Sequence, residues 1–151
     1  MAATYRPALW RRLANGLVRA MLRVGLGPPR TYLLTVRGRR SGRLRSTPVT
    51  LVEERGSVGM IRRWLVAPYG EVGWVKNVRA AGQIMLSRGQ RSETVAIVEA
   101  GLDEAAPVLK AYVRDVPITR PFFDAGPDAD LEAFKDEALR HPVFRITGPA
   151  P

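Results

Sequence analysis

Hydrophobic and polar positions alternate with two rhythms along this chain. Residues 8–24 follow the helical one: Leu9, Trp10, Leu13, Ala14, Leu17, Val18 and Met21 share one half of a helical wheel. Arg11, Arg12, Asn15, Arg19 and Arg23 take the other half, and Leu22 alone is out of place. Pro7 suits the start of this helix, and Gly25, Gly27, Pro28 and Pro29 end it. From Thr31 the period falls to two, which predicts strands over residues 31–37, 43–53 and 58–67. Pro48 removes an amide donor from the second of these and marks an edge or a bulge, where a ligand could pair with free backbone groups. A Gly- and Pro-rich loop over residues 67–73 leads into a short helix, residues 73–81, with Trp74 and Asn77 on one face.

The second half repeats the alternation. Residues 83–88 and 92–100 read as a hairpin around Gly89-Gln90, and Asp103 as the cap of a helix reaching about residue 114. Residues 116–127 read as a Pro-rich loop presenting Phe122 and Phe123, residues 128–140 as a helix, and residues 143–147 as a sixth strand. The order α-β-β-β-α-β-β-α-α-β, with short turns between strands, predicts an α+β fold, predominantly an antiparallel barrel, closed or partly open, with peripheral helices. No G-x-G-x-x-G supports a dinucleotide-binding sheet. The division expected is an N-terminal amphipathic helix within residues 1–29 and a single domain over residues 30–151.

Composition narrows the chemistry. Without cysteine the 151 residues offer no disulfide, thiol nucleophile or thiolate metal site, and a single histidine, His141, makes imidazole metal sites and Ser-His chemistry improbable. Any reaction would be brought by a cofactor. His141 reads as structural, near a helix end where a cation is favourable, and Trp10 and Trp64 as core. The acidic cluster Asp128, Asp130, Glu132, Asp136 and Glu137 reads as a solvated helix face.

The net charge of +10 is unevenly spread, because residues 1–52 hold 11 arginines and no acidic residue, whereas the remainder is close to neutral. Arginine outnumbers lysine 21 to 3, a bias that codon usage can produce, but the charge acts physically whatever its origin. Two placements of the N-terminal helix stay open, docked on the core or laid on an anionic membrane surface. No run of 18 apolar residues is present, so the chain reads as cytoplasmic, at most peripheral on the inner face of the membrane.

The densest charge sits in V-R-G-R-R-S-G-R-L-R-S-T-P, residues 36–48, where five arginines surround a Gly38-to-Gly42 turn between two strands. Gly38 and Gly42 would supply positive φ angles and close backbone approach. Arg39, Arg40 and Ser41 stand at the tip, and Arg43 and Arg45 share one strand face, so the turn is either an anion cradle or a solvated hairpin. It is not a Walker loop, because Arg43 and Leu44 follow the second glycine.

Three segments in register, G-R-R-S-G-R-x-R-x-T-P (residues 38–48), L-V-A-P-Y-G (65–70) and W-x-x-N-x-R-A (74–80), resemble the deazaflavin-dependent nitroreductase family, with residues 141–146 similar to a C-terminal strand of some members. The resemblance implies a split β-barrel related to the FMN-binding fold, holding coenzyme F420. It places the cofactor phosphate on Arg39, Arg40, Ser41, Gly42 and Arg45, and the ring along Thr47, Pro48 and Val49. It also brings Ala67, Pro68, Tyr69 and Gly70 to the ring and closes the site with Trp74 and Asn77. The activity implied is hydride transfer to a small-molecule electron acceptor, a quinone, a nitroaromatic or another activated alkene, with Tyr69 the candidate contact to that acceptor. Two departures stand out: Arg40 replaces the lysine of many members, and Phe122, Phe123 and Phe134 stand where quinone-reducing members are rich in tyrosine. Alternatives are FMN or FAD as the cofactor, a non-catalytic binder of F420 or of a lipid-like ligand, and a nucleic-acid-binding barrel. The last is disfavoured because Tyr32 is the only aromatic residue between positions 30 and 60. A dimer is compatible with the sequence, which leaves the oligomeric state open.

Overall fold

The computed structural model describes Ala2 and residues 9–150, with side chains from Leu13 onward in the first helix. The expectations placed on Pro7 and on the side chain of Trp10 lie outside the described residues. Six antiparallel strands close a barrel in the order β1 (Thr31–Arg37), β2 (Leu44–Arg55), β3 (Ile61–Val66), β6 (Val143–Pro149), β5 (Arg91–Glu99) and β4 (Gln83–Arg88). Helices α1 (Leu9–Arg23), α2 (Gly73–Ala81), α3 (Leu102–Asp115) and α4 (Leu131–Ala138) surround it. The α+β, antiparallel-barrel expectation is met.

Alternation along the strands builds two cores. Leu65 of β3 and Phe144 of β6 point into the barrel with Leu34, Leu51, Ile84 and Leu86. Their neighbours Trp64, Val66 and Val143 point outward and bury against Leu109, Tyr112, Val113 and Phe134 of α3 and α4. Phe134 is fully buried, and removing such a side chain from water is worth about 2–3 kcal/mol. The indole N–H of Trp64 donates to Glu104 Oε2 at 2.9 Å, and Arg145 Nη1 donates to Glu104 Oε1 at 3.0 Å, which fixes α3 on the barrel wall.

One irregularity positions the site. β2 pairs with β1 over residues 44–50, then with β3 only from Leu51 to Arg55. Its outer edge over residues 44–50 therefore has no strand partner, and Pro48 stands in the middle of it. The sequence reading of an edge at Pro48 matches this local opening of an otherwise closed barrel.

Several local expectations are corrected. The third strand starts at Ile61, because Ser57–Gly59 forms a 3₁₀ turn in which Val58 and Gly59 take φ of 74° and 75°. Gly101, not Asp103, precedes the first turn of α3, and α4 is capped by Asp130, whose carboxylate accepts from Ala133 N–H at 2.9 Å. Phe122 and Phe123 are buried at the end of a 3₁₀ segment, Pro117–Phe122, and are not presented to solvent. The opposed fates of Glu137 and of the α1 apolar face are more consequential.

On α1, Leu13 and Leu17 are 69% and 64% exposed and Ala20 is also exposed, and Val24, just past the helix end, is 69% exposed. These four residues form a stripe at helical spacing that faces solvent. Leu22, which the wheel left out of place, is wholly buried, and its carbonyl accepts from Gly89 N–H at 2.7 Å. Asn15, Val18, Arg19 and Leu22 make the opposite stripe, which faces the protein. The helix is thus docked through its mixed face. Its exit is pinned by Arg88, whose guanidinium donates to the carbonyls of Gly27, Pro28 and Thr31 at 2.8, 2.7 and 2.9 Å.

Candidate cofactor-binding site

The turn between β1 and β2 is closed by backbone bonds, Gly38 N–H to Arg43 O at 2.7 Å and Gly42 N–H to Gly38 O at 2.9 Å. Gly42 needs its φ of 71°, whereas Gly38 is favoured by close approach: a Cβ there would lie 3.2 Å from Arg43 O and 2.9 Å from the rotatable Ser41 Oγ. The expectation of two positive φ angles is corrected to one.

The turn's arginines divide into two sets. Arg37 Nη1 donates to Gly42 O at 2.7 Å, and Arg39 donates through its backbone N–H at 3.1 Å and Nη1 at 2.8 Å to Asn77 Oδ1. These two brace the turn against itself and against α2. Arg40 and Arg45 have no protein partner among the described residues, and both line a cavity of about 620 Å³ with Ser41, Ser46, Thr47 and Arg19. Among the described residues no carboxylate lines it. A concave wall that carries several guanidiniums and hydroxyl donors, beside Leu44 and Trp74, suits phosphate oxygens.

A second cavity of about 660 Å³ adjoins the first, with Thr47 and Trp74 in the walls of both. Its floor is the unpartnered edge of β2, Pro48 to Thr50, and its walls come from Pro68, Tyr69 and Val72, from Tyr112 of α3, and from residues 116–119. The Tyr69 ring meets Phe122 edge-on with centroids 4.8 Å apart. Burial, before any other cause, pushes the Tyr112 phenol up out of its ordinary range, so it stays protonated. At the rim, Arg30 and Asp115 pair at 3.7 Å, and the hydrogen bond from Arg114 is the first cause holding the Asp115 carboxyl low.

Of the sequence-predicted site residues, Arg39, Arg40, Ser41, Arg45, Thr47, Pro48, Val49, Pro68, Tyr69, Trp74 and Asn77 line one cavity or the other. Gly42, Ala67 and Gly70 do not. Ala67 is fully buried and its N–H donates to Pro142 O at 2.9 Å, while Gly70 turns the loop at φ 83° with Arg140 O 3.3 Å from where a Cβ would be. Both therefore shape the loop from beneath. The sequence reading missed Asn15, Val18 and Arg19 of α1, Tyr112, and the segment over residues 116–119. Only the helical spacing of Asn15, Val18, Arg19 and Leu22 signalled any of these.

Beneath the Ala67–Gly70 loop lies a buried polar cluster. Glu137, 1% exposed, accepts from the backbone N–H groups of Asp124 at 2.6 Å and Ala125 at 2.7 Å and from Arg140 Nη2 at 3.0 Å. His141 Nε2 lies 3.2 Å from Oε2, the oxygen that also accepts from Arg140, and the imidazole stacks on Phe123 with centroids 4.1 Å apart while facing the carbonyls of Ala67 and Pro68. Burial is the largest influence on His141 and lowers its pKa, so the expected helix-end cation is corrected to a buried imidazole that favours neutrality. Glu137 is likewise no solvated residue but a fourfold acceptor.

The groove thus combines a cationic end, free of acidic side chains, with an apolar end floored by an unpaired strand edge and flanked by an indole. This arrangement fits a ligand having a phosphate at one end and a flat heterocycle at the other. The family model described as F420H(2)-dependent quinone reductase matches residues 9–120. A solved F420-H2 dependent reductase, FDR-A, is 24% identical with a TM-score of 0.53, the match covering 78% of this chain and 94% of that one. A solved domain-swapped dimer is 21% identical with a TM-score of 0.56, covering 91% of this chain and 96% of the other. A protein of unknown function from Agrobacterium tumefaciens str. C58 is 14% identical with a TM-score of 0.57, covering 89% of this chain and 55% of that one. None of the curated proteins compared matches the chain. The solved structures agree on the fold, and the family match spans well over half of the chain: it belongs to the F420H(2)-dependent quinone reductases, oxidoreductases that use reduced F420.

Proposed function

We propose that this chain reduces a quinone-type acceptor held in the apolar cavity, with F420 lying along the joined groove. The adjoining of a cationic cavity and an apolar one through Thr47 and Trp74 carries this reading. Arg40, Ser41 and Arg45 would hold the phosphate, the Thr47–Val49 edge would meet the ring's polar atoms, and Trp74 would cover apolar surface. When bound, reduced F420 supplies the hydride. The protein's own tasks are to orient the two partners, exclude water and place a proton donor. Tyr69, 36% exposed at the cavity wall, is the residue we assign to the acceptor oxygen.

Reduced F420 should be oxidised by menadione in the presence of this chain, and Tyr69→Phe should lower kcat/KM for menadione about tenfold while leaving the Kd for F420 unchanged. One hydrogen bond to a developing charge is worth about that factor. Tight F420 binding without turnover of menadione or of a nitroaromatic would make the chain a binder and not a reductase. An unchanged kcat/KM in the Phe variant would remove Tyr69 from the reaction.

We also assign the exposed stripe of α1 to an anionic membrane surface. Among the described residues no helix is long and apolar enough to cross a membrane, so the contact is peripheral. Four outward apolar residues on a segment without acidic groups match the chemistry of an anionic bilayer, where each nearby arginine adds about 1 kcal/mol. The full chain should sediment with phosphatidylglycerol vesicles, and Leu13→Asn combined with Leu17→Asn should abolish this without altering thermal unfolding. Equal sedimentation of both proteins would leave the stripe to another partner, and the solved domain-swapped dimer of this fold makes a second copy the first to check.

A further inference from the structure

We propose that Arg19 of α1 is a ligand for a second anionic group on the cofactor's tail, which makes α1 a latch closed by the cofactor itself. This rests on the assignment of the cationic cavity to the F420 phosphate. Arg19 lines that cavity together with Arg40 and Arg45, although it arrives from a different element. Its Nε is buried and has no hydrogen-bond partner among the described residues. An unsatisfied buried donor is destabilising, and a charged one more so, unless an acceptor arrives with the ligand. Among the described residues no carboxylate lines the cavity, so no charged acceptor stands there.

Charge matching points the same way. Two guanidiniums, Arg40 and Arg45, and the Ser41 hydroxyl already suffice for one phosphate. A third guanidinium in the same cavity fits a ligand with more than one anion, a phosphate followed by a further phosphate or carboxylate. The same inward face of α1 reaches the adjoining apolar cavity through Asn15, one turn before Arg19, and through its neighbour Val18. A single helix thus reaches both ends of the groove, and among the described side chains Arg19 is its contribution to the anionic end. The exit of α1 is pinned by Arg88, and Arg19, one turn before the helix ends at Arg23, would add a further hold once an anion binds it.

The test uses the full chain and two probes, F420 and the deazaflavin chromophore lacking the phosphate-bearing tail. Arg19→Gln should raise the Kd for F420 about tenfold and leave the Kd for the tailless chromophore unchanged, with Arg19→Lys in between. F420 should also slow amide hydrogen exchange over residues 13–23 in the wild type but not in Arg19→Gln. Wild-type affinity for F420 in Arg19→Gln, or an equal loss for both probes, would overturn the proposal. If Arg19→Gln instead weakens only binding to phosphatidylglycerol vesicles, its anion is a lipid headgroup and the latch is refuted. Arg45→Gln run beside it separates the two levels: loss there with none in Arg19→Gln sinks the latch alone, and no loss in either sinks the cavity assignment.

Discussion

Arg45→Ala will raise the Kd for F420 ten- to a hundredfold, Arg40→Ala will do the same, and neither will shift the thermal midpoint. The affinity loss follows from the usual worth of a charge-assisted hydrogen bond to phosphate, about 1.5–3 kcal/mol, where each 1.4 kcal/mol is a factor of ten. The intact stability follows from the absence of protein partners for either guanidinium among the described residues. Arg37 and Arg39 supply the contrast. Their guanidiniums are committed to Gly42 O, Gly73 O and Asn77 Oδ1, so their replacement should loosen the turn and weaken binding only through that loosening. The affinities are measured by quenching of F420 fluorescence at two salt concentrations, and the wild-type Kd should rise with salt while that of the double alanine variant changes little. Unchanged affinity in both single variants would make the turn a solvated hairpin.

That division among five arginines shows what a sequence can and cannot carry. The turn itself was legible because Gly-to-Gly spacing between two alternating runs leaves few alternatives, and β1 came out at residues 31–37 as read. Helix α2 was legible for the same kind of reason, and its Trp74 and Asn77 do share a face toward the cavity. The partners of each arginine were not legible, because they depend on α2 lying across the turn. Asn77 was read as a closing residue of the site, and its Oδ1 is instead used to hold Arg39.

The docked face of helix α1, whose placement the sequence left open, was not legible for a more general reason. A hydrophobic wheel assumes that the apolar face docks, and Leu13, Leu17 and Val24 break that assumption by facing outward. Among the described side chains the wholly buried one on the docked face is Leu22, and it is joined by a backbone bond to Gly89 that no side-chain pattern encodes. Near that bond the chain comes within van der Waals distance of itself, since a Cβ on Gly89 would lie 3.1 Å from Gly25 Cα. Residues chosen for close backbone contact look, in sequence, like ordinary turn glycines. The fold class survived these errors because strand alternation fixes the barrel independently of where α1 lies.

The reading of the acidic cluster held for Asp128, Asp130, Glu132 and Asp136, which are exposed, and failed at Glu137, whose correction carries the second large effect. Glu137→Ala should destabilise the chain by about 3–5 kcal/mol, the usual cost of removing one side of a buried charged network. For a chain of this size each kcal/mol is about 2–4 °C, so the thermal midpoint should fall by roughly 10 °C. The size follows from the groups stranded, two backbone N–H groups at residues 124 and 125 and the buried His141 imidazole, whereas Arg140, half exposed, keeps Asp124 as a partner. Glu137→Gln should cost less, because an amide oxygen still accepts from the two N–H groups. The damage should reach the cofactor groove as well, since His141 and Pro142 support the Ala67–Gly70 loop from beneath. The pH dependence has a definite sign. Burial holds His141 below its ordinary value of 6.5, so just below that pH the unfolded chain binds the additional proton and the folded one does not. Wild-type stability should therefore decline as pH falls from 6.5, and His141→Gln should flatten that decline. Thermal unfolding of the three variants against pH checks these statements together, and a Glu137→Ala midpoint within 2 °C of wild type would show that the network contributes little to holding the loop.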